Sequence, residues 1–256
     1  MQLFSNKFTR GLLSLLRDLA IDAKYHGSNR YCPTCGKHSR AFLPAGLIPR
    51  KDASCPFCGA LERHRLLCLF LQKNPSMLEG RPRTLHVAPE PCLEPIFRSR
   101  LGERYLTADL FNPKAMERMD ICDIHHVEES FGAIYCSHVL EHVPDDRRAI
   151  REFFRILKGD GWAILNVPIM RDSTYEDPSI VDPKEREKAF GQVDHVRVYG
   201  SDYIDRLREA GFFVKVIKVS DLANKEQAEK MGLTQASGEI FFCVKQPRDH
   251  QTYLKT

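Results

Sequence analysis

Short apolar segments alternate with amphipathic segments along most of the chain. The apolar segments predict strands at Thr84–Ala88, Tyr105–Leu110, Phe131–Ser137, Gly161–Val167, Phe212–Val219 and Glu239–Lys245. Apolar residues spaced by three and four predict helices over Leu61–Lys73, Pro91–Arg100, Asp145–Leu157 and a segment that Ser201 caps and Gly211 ends, and a polar helical insert joins the last two strands. This alternation predicts an α/β fold with a mainly parallel sheet covered on both faces.

The pattern divides the chain into three predicted parts: an amphipathic N-terminal helix (1–28), a small cysteine-bearing module (29–60) and an α/β domain (61–256). Apolar residues of the first part share one helical face: Phe4, Phe8, Leu12, Leu15, Leu16 and Leu19. That face suits an anionic membrane surface, or packing against the fold or a partner; packing is favoured because surface helices are commonly this amphipathic. The polar stretch Met170–Val193 is interpreted as a helix-poor lid or binding loop.

The composition restricts the class of protein but does not indicate a function. The chain has 256 residues, of which 43% are hydrophobic and 28% charged, so it is neither disordered nor low-complexity. The net charge of +4 permits a phosphate-bearing partner without requiring one. No apolar run approaches the roughly 18 residues of a membrane span. We therefore expect a cytoplasmic protein with reduced thiols.

Four of the nine cysteines form two Cys-x-x-Cys pairs. Cys32 and Cys35 make the first pair, Cys55 and Cys58 the second, and a glycine follows each pair directly. Two such pairs supply a closed tetrahedral set of four thiolates, which is typical of structural zinc. The sequence predicts a zinc ribbon whose metal supports folding, with nearby His64 as a helix-surface residue.

Polar residues follow the first two strands of the predicted α/β domain. The loop after the first strand contains His86, Ala88 and Glu90, and Asp109 ends the second strand 23 residues beyond His86. In parallel sheets ligands bind beyond the carboxyl ends of the strands. An acid about 20 residues past the first loop is placed to accept hydrogen bonds from a ribose diol.

Two longer motifs carry a resemblance to a known family. The stretch Tyr135-Cys-Ser-His-Val-Leu-Glu-His-Val-Pro-Asp145, followed by Arg155-Ile-Leu-Lys-Gly-Asp-Gly-Trp-Ala-Ile-Leu165, resembles class I S-adenosylmethionine-dependent methyltransferases of the type 11 kind. The block Phe190-Gly-Gln-Val-Asp-His-Val-Arg-Val-Tyr-Gly200 is similar to bacterial members that carry an N-terminal zinc ribbon. The resemblance covers roughly residues 31 to 245.

The resemblance implies a Rossmann-like, seven-stranded, mostly parallel sheet whose last strand is antiparallel. Matched by position, His86, Ala88 and Glu90 would lie at the methionine end of S-adenosylmethionine. Further along the chain, the resemblance places Asp109 at the ribose, Asp120 at the adenine amino group, Ile121 at the ring, and Ser137 with His138 at the sulfonium.

The first loop departs from the family pattern, which is Gly-x-Gly-x-Gly preceded by an acid. Here His86 stands at the acid position, and Ala88, Glu90 and Cys92 stand where the glycines would be. Glycine allows close backbone approach to a ligand, so its loss predicts a different loop. Glu90 is a candidate partner for the methionine ammonium.

The segment Asp194–Tyr199 is the candidate for meeting the methyl acceptor. In an extended chain His195, Arg197 and Tyr199 share one face. His195 is the candidate general base, and Arg197 the candidate group for an anionic substrate. Glu141 and His142 either reach this site or belong to the helix entry; both interpretations stay open.

Three functions fit these motifs. The favoured one is methyl transfer to a small-molecule or glycan-precursor acceptor. The second is methylation of RNA presented by the zinc ribbon, against which the modest charge and the absence of an aromatic–basic stripe both argue. The third is a non-catalytic scaffold whose altered first loop no longer holds the cofactor.

Overall fold

The structure is a computed structural model that describes residues 19–246. The predicted apolar face of the N-terminal helix lies mostly outside this range, in which residues 19–25 are helical. The described chain divides into two compact units, residues 19–70 with 219–237 and residues 71–218 with 238–246. The three-part division drawn from sequence stays a prediction.

The first unit contains two short antiparallel hairpins and a few helices. The strands are β1 (Arg30–Tyr31), β2 (His38–Ser39), β3 (Leu43–Ala45) and β4 (Arg50–Ser54). Strand β1 pairs with β2, and β3 pairs with β4. Helix α1 (Glu62–Lys73) follows and continues into the second unit.

The central sheet of the second unit has seven strands. They are β5 (Thr84–Val87), β6 (Tyr105–Asp109), β7 (Glu117–Arg118), β8 (Phe131–Ser137), β9 (Leu157–Asn166), β13 (Phe213–Ile217) and β14 (Ile240–Val244). The spatial order is β13-β14-β9-β8-β5-β6-β7, and only β14 is antiparallel to its neighbours. The predicted Rossmann-like sheet with an antiparallel last strand is confirmed.

Helices and a smaller sheet complete the second unit. The helices are α2 (Glu94–Leu101), α3 (Asp146–Ile156), α4 (Pro183–Phe190) and α5 (Tyr203–Glu209). Strands β10 (Ile169–Arg171), β11 (Tyr175–Glu176) and β12 (Arg197–Gly200) form the smaller sheet, in the order β10-β12-β11. The predicted helical insert between the last two strands of the large sheet is α6 (Val219–Leu222) and α7 (Lys225–Lys230), which belong to the first unit.

Local signals account for most of these elements. Asp145 caps α3 by accepting from the Arg148 amide at 2.9 Å, and Ile150 and Phe153 bury the face toward the core. Strand β9 begins four residues before the predicted Gly161 because Leu157 already pairs with Phe131.

Two expectations were wrong in detail. Met170–Val193 is not helix-poor, because Asp182 caps α4 and Pro183 occupies its first turn. Ser201 does not cap α5: the residue before that helix is Asp202, and the Ser201 hydroxyl donates to the Asp172 carbonyl at 2.8 Å.

Candidate functional site

The four cysteines of the first unit meet as predicted. In each pair the glycine after the second cysteine, Gly36 or Gly59, has a left-handed φ (+71° and +73°). The amides of these glycines donate to the carbonyls of Cys32 and Cys55 at 2.8 and 2.9 Å. The two turns are thus built alike and present two thiols each.

The sulfur spacing fits a tetrahedral metal site. Cys32 Sγ lies 3.7 Å from Cys58 Sγ, and Cys35 Sγ lies 3.8 Å from Cys55 Sγ. All four sulfurs lie within 4.8 Å of one another. Tetrahedral zinc with bonds of about 2.3 Å separates its sulfurs by about 3.8 Å. The cluster can therefore hold zinc without rearrangement.

His64 lies near this cluster but is not on the helix surface, so that expectation was wrong. Its ring is 4% exposed, and its Nδ1 accepts from the Leu61 amide at 3.1 Å. The ring therefore satisfies an otherwise unpaired N–H at the start of α1.

In the second unit, parallel pairing aligns the ends of three strands. Val87 pairs with Ala108 of β6 and with Cys136 of β8. The next residues on these strands are Ala88, Asp109 and Ser137, which the register places side by side. The structure thus brings together, at one sheet edge, the residues that the resemblance assigns to the cofactor's methionine, ribose and sulfonium.

His86 supports this edge from inside. The ring is fully buried, with Nδ1 2.7 Å from the Tyr105 hydroxyl and Nε2 2.7 Å from Glu90 Oε2. Since the hydroxyl can donate to Nδ1, Nε2–H can donate to the Glu90 carboxylate. Both ring nitrogens therefore have hydrogen-bond partners within the protein, and the hydrogen bond between His86 and Glu90 holds the loop in place.

Two residues at the strand ends adopt a backbone conformation that non-glycine residues rarely take. Ala88 has φ +49° and His138 has φ +55°. The Ala88 amide donates to the Ala108 carbonyl at 2.8 Å, and the His138 amide donates to the Asn166 carbonyl at 2.9 Å. The first loop therefore keeps a left-handed turn at Ala88, although glycine is absent. Such strained positions concentrate at functional sites.

The predicted nucleoside-binding residues lie at this edge with different exposures. Asp109 Oδ1 accepts from the amides of Phe111 and Asn112 at 2.7 and 2.8 Å. The Met119 amide donates to the Asp109 carbonyl at 3.2 Å, which brings the next residue, Asp120, close to this strand end. Asp120 is exposed, whereas Ile121 is part of the hydrophobic core.

Ser137 and the segment around His195 lie beyond the end of β8. The Ser137 hydroxyl is buried and has no hydrogen-bond partner within residues 19–246. The Val196 amide donates to the Glu141 carbonyl at 2.9 Å. This bond fixes the predicted acceptor-binding segment against the 3-10 turn Leu140–His142 that follows β8.

Arg197 and Tyr199 are buried within the protein rather than open to a substrate. Arg197 donates to the carbonyls of Leu140, Val143 and Pro144 at 2.5–2.8 Å. The Tyr199 hydroxyl donates to Asp146 Oδ2 at 2.6 Å. The neighbouring Asp146 carboxylate and, above all, burial raise the pKa of Tyr199 well above its usual value, so the hydroxyl stays a donor.

The same two side chains belong to a buried ion network that sequence analysis did not foresee. Arg206 Nη1 lies 2.9 Å from Asp146 Oδ2, and its Nη2 lies 2.9 Å from Glu176 Oε1. Glu176 Oε2 also accepts from Arg197 Nε at 2.8 Å. Burial opposes ionisation of Glu176, but hydrogen bonds from Arg206 and Arg197 outweigh burial and lower its pKa to about 2.

His195, by contrast, has an available ring nitrogen. Its Nδ1 lies 3.3 Å from the Phe190 carbonyl, while its buried Nε2 has no hydrogen-bond partner within residues 19–246. Its ring packs edge-on against His142 with centroids 4.6 Å apart. Burial and the neighbouring His142 lower the pKa of His195. Glu141, His142 and His195 form one cluster, with one ligand atom of each within 4.8 Å of the others.

A comparison with protein families identifies the central segment. Residues 96–165 match the sequence model of a family described as a methyltransferase domain. The match extends from α2 to β9 and includes Asp109, Asp120, Ile121, Ser137 and His138. The predicted resemblance to S-adenosylmethionine-dependent methyltransferases is confirmed.

Solved structures with a similar chain path include methyltransferases. One is an S-adenosylmethionine-dependent methyltransferase from Mesorhizobium loti: 16% identity, 72% of this chain and 98% of that chain covered, TM-score 0.48. Another is 1,6-didemethyltoxoflavin-N1-methyltransferase from Burkholderia thailandensis: 12% identity, 68% and 77% covered, TM-score 0.42. No curated protein sequence matches the chain.

Among the described residues, no helix has both the length and the apolar character needed to cross a membrane. All nine cysteines lie within residues 19–246, and none of them forms a disulfide there.

Proposed function

We propose that the chain transfers the methyl group of S-adenosylmethionine to a small-molecule or glycan-precursor acceptor. One observation carries the proposal: the ends of β5, β6 and β8, two of which lie inside the methyltransferase match, present Ala88, Asp109 and Ser137 at one sheet edge. When bound, the cofactor supplies a methyl group on a sulfonium, and the protein mainly aligns the acceptor for in-line displacement.

The residues at this edge fit the parts of the cofactor. We assign Asp109 to the ribose hydroxyls and Asp120 to the adenine amino group, since both are carboxylates at neighbouring strand ends. Ser137, with its unpartnered buried hydroxyl, and His138 are assigned to the sulfonium end. Ala88 lets the backbone turn close to the methionine, whereas His86 and Glu90 position that turn.

The three predicted catalytic residues on the acceptor side differ in whether their polar atoms already bind protein groups. We propose that His195, whose Nε2 is unpartnered, takes the proton of the acceptor nucleophile. We assign Arg197 and Tyr199 a positioning role, because each binds groups of the protein: carbonyls after β8 and the Asp146 carboxylate. Their hydrogen bonds to the protein hold the site together, so neither side chain has to contact the acceptor.

We also propose that the four cysteines hold one structural zinc ion and that the protein is cytoplasmic. The sulfur spacing supports the zinc, and the lack of disulfides among the nine cysteines of residues 19–246 fits a reducing compartment.

Asp109→Ala is expected to weaken binding of S-adenosylhomocysteine about tenfold to hundredfold, as loss of charged hydrogen bonds to a ligand implies. Isothermal titration calorimetry of the zinc-loaded protein measures the change. Asp109→Asn should lose less, because its amide oxygen can still accept from the amides of Phe111 and Asn112.

Asp205→Ala is the matched control, since Asp205 is an exposed carboxylate on α5 that pairs only locally with Arg208. Its affinity for S-adenosylhomocysteine should equal that of the wild type. Complete absence of binding by the wild type would instead favour the non-catalytic scaffold.

His195→Ala is expected to leave the affinity for S-adenosylhomocysteine unchanged and to slow methylation about 10²–10⁴-fold, the usual loss on removing a general base. The assay is release of S-adenosylhomocysteine across a panel of hydroxyl- and amine-bearing small molecules. His125→Ala, which changes an exposed histidine elsewhere in the unit, is the control. Full turnover by His195→Ala would disprove the role of His195.

A further inference from the structure

Three side chains that sequence analysis treated separately converge beside the end of β8. One ligand atom each of Glu141, His142 and His195 lies within 4.8 Å of the other two. Glu141 and His142 come from the 3-10 turn after β8, and His195 precedes β12. We propose that these residues bind a divalent transition-metal ion, separate from the zinc of the four cysteines.

The hydrogen bonds of both imidazoles leave the required lone pairs free. His195 Nδ1 faces the Phe190 carbonyl at 3.3 Å, and His142 Nδ1 faces Asp194 Oδ2 at 3.1 Å. A carbonyl and a carboxylate only accept, so these contacts favour the tautomer in which Nδ1 carries the proton and Nε2 the lone pair. Metal-binding histidines are typically held in this way by a carbonyl or a carboxylate.

Glu141 supplies the carboxylate. Its side chain is 2% exposed, and its Oε1 lies 3.3 Å from His138 Nδ1. Its Oε2 is buried without a hydrogen-bond partner within residues 19–246, as is Nε2 of His195. Two buried acceptor atoms in one cluster are costly unless something with positive charge binds both.

The donor set indicates the kind of ion. Two imidazole nitrogens and one carboxylate suit zinc, cobalt, nickel or iron(II) rather than magnesium or calcium, which prefer oxygen ligands throughout. Three protein ligands leave coordination positions open. A second group, Glu117 with His125 and His126, differs because Glu117 Oε2 already accepts from His126 Nε2 at 2.9 Å and lies 3.2 Å from His125 Nε2.

The role of the ion rests on the proposed function, although its existence does not. An open position on the ion would bind an acceptor oxygen and lower the pKa of that oxygen. In the metal-bound protein His195 Nε2 would hold the ion and the acceptor proton would pass to solvent; the role of general base proposed above applies to His195 in the metal-free protein. The acceptor class narrows to molecules that present an oxygen ligand, such as hydroxyls and carboxylates.

Cobalt(II) titration of the zinc-loaded full chain tests the site, with metal content measured after removal of free ions. The wild type should bind one cobalt without the intense charge-transfer absorption of a thiolate site. His195→Ala and Glu141→Gln should abolish this binding. Asp194→Ala, which removes only the outer partner of His142, should weaken it about 10–100-fold.

His125→Ala is the matched control and should bind cobalt like the wild type. Lack of cobalt uptake by the wild type at about 1 mM, equivalent to roughly 4 kcal/mol, would overturn the proposal. Uptake that survives His195→Ala would also overturn it. Far-ultraviolet circular dichroism, recorded in parallel, shows that the variants are folded, and titration with S-adenosylhomocysteine tests the proposed function separately. Cobalt uptake without S-adenosylhomocysteine binding would support the metal site while contradicting the proposed function.

Discussion

Cys35→Ser is expected to remove one tightly held zinc ion per chain and to unfold the first unit. Structural zinc contributes an apparent 10–16 kcal/mol at neutral pH, which matches or exceeds the roughly 5–15 kcal/mol stability of a typical domain. The part of the first unit that the structure describes is small and has two short hairpins near the four cysteines, so little of it can replace that contribution.

The hydrogen bonds of Arg65 link the cysteine region to a distant stretch of sequence, so the predicted unfolding includes that stretch. Arg65 is fully buried and donates to the Ala53 and Ala60 carbonyls near the cysteines at 2.9 and 2.7 Å. It also donates to the Met231 and Gly232 carbonyls at 2.7 and 3.0 Å. Loss of the metal should therefore release residues 225–233 together with residues 30–60.

Elemental analysis and hydrogen exchange measure these two consequences. The amides of both stretches should lose protection together, while those of β5, β8 and β9 keep it. Cys122→Ser is the control, because Cys122 is a free thiol of the second unit outside the cluster. Unchanged zinc content in Cys35→Ser would show that the four sulfurs are not a zinc site.

Asp146→Asn is expected to lower the free energy of unfolding by about 3–5 kcal/mol. Asp146 is 2% exposed and receives Arg206 through both carboxylate oxygens, at 3.0 and 2.9 Å. Without the Asp146 charge, Arg197 and Arg206 keep their ion pairs with Glu176, which is partly exposed. A buried, incompletely compensated positive charge is the physical cause of the loss.

Urea unfolding of the intact chain measures this loss of stability. The control is Asp205→Asn, which neutralises an exposed aspartate and should change the free energy of unfolding by less than about 0.5 kcal/mol. The double variant Asp146→Asn/Arg206→Met should lose less than the sum of the single variants, because the charge left behind is also removed. Additive losses, or a loss below about 1 kcal/mol for Asp146→Asn, would mean that the network is not coupled.

Local patterns predicted the cysteine cluster and six of the seven strands of the main sheet; the two-residue strand β7 has no apolar run that would predict it. The Cys-x-x-Cys spacing, each pair followed by glycine, defines a turn that depends only on neighbouring residues. The apolar run Phe131–Ser137 is observed as a strand with the same bounds. Helix α4 also has a local signal, since Asp182 and Pro183 form a typical helix start, although we predicted a helix-poor segment there.

The site itself depended on pairings that no local pattern contains. Alternation predicted a shared face for His195, Arg197 and Tyr199, and all three are buried. Only the fold shows that Arg197 and Tyr199 bind protein groups and that His195 keeps an unpartnered nitrogen. Asp146 looks from sequence like a first-turn acid of a helix, and Arg206, its partner, lies 60 residues away.

Periodicity and turn chemistry are local, so the sequence was enough to predict which residue types stand at the ends of the strands. Which of those side chains meet depends on the folded chain. The Val196 amide donates to the Glu141 carbonyl across more than 50 residues, which brings the segment of His195 to that of Glu141 and His142. The left-handed turn at Ala88 forms without glycine because the surrounding sheet holds it. Contacts of such sequence separation depend on chain closure and burial, which follow from the packing of the whole unit.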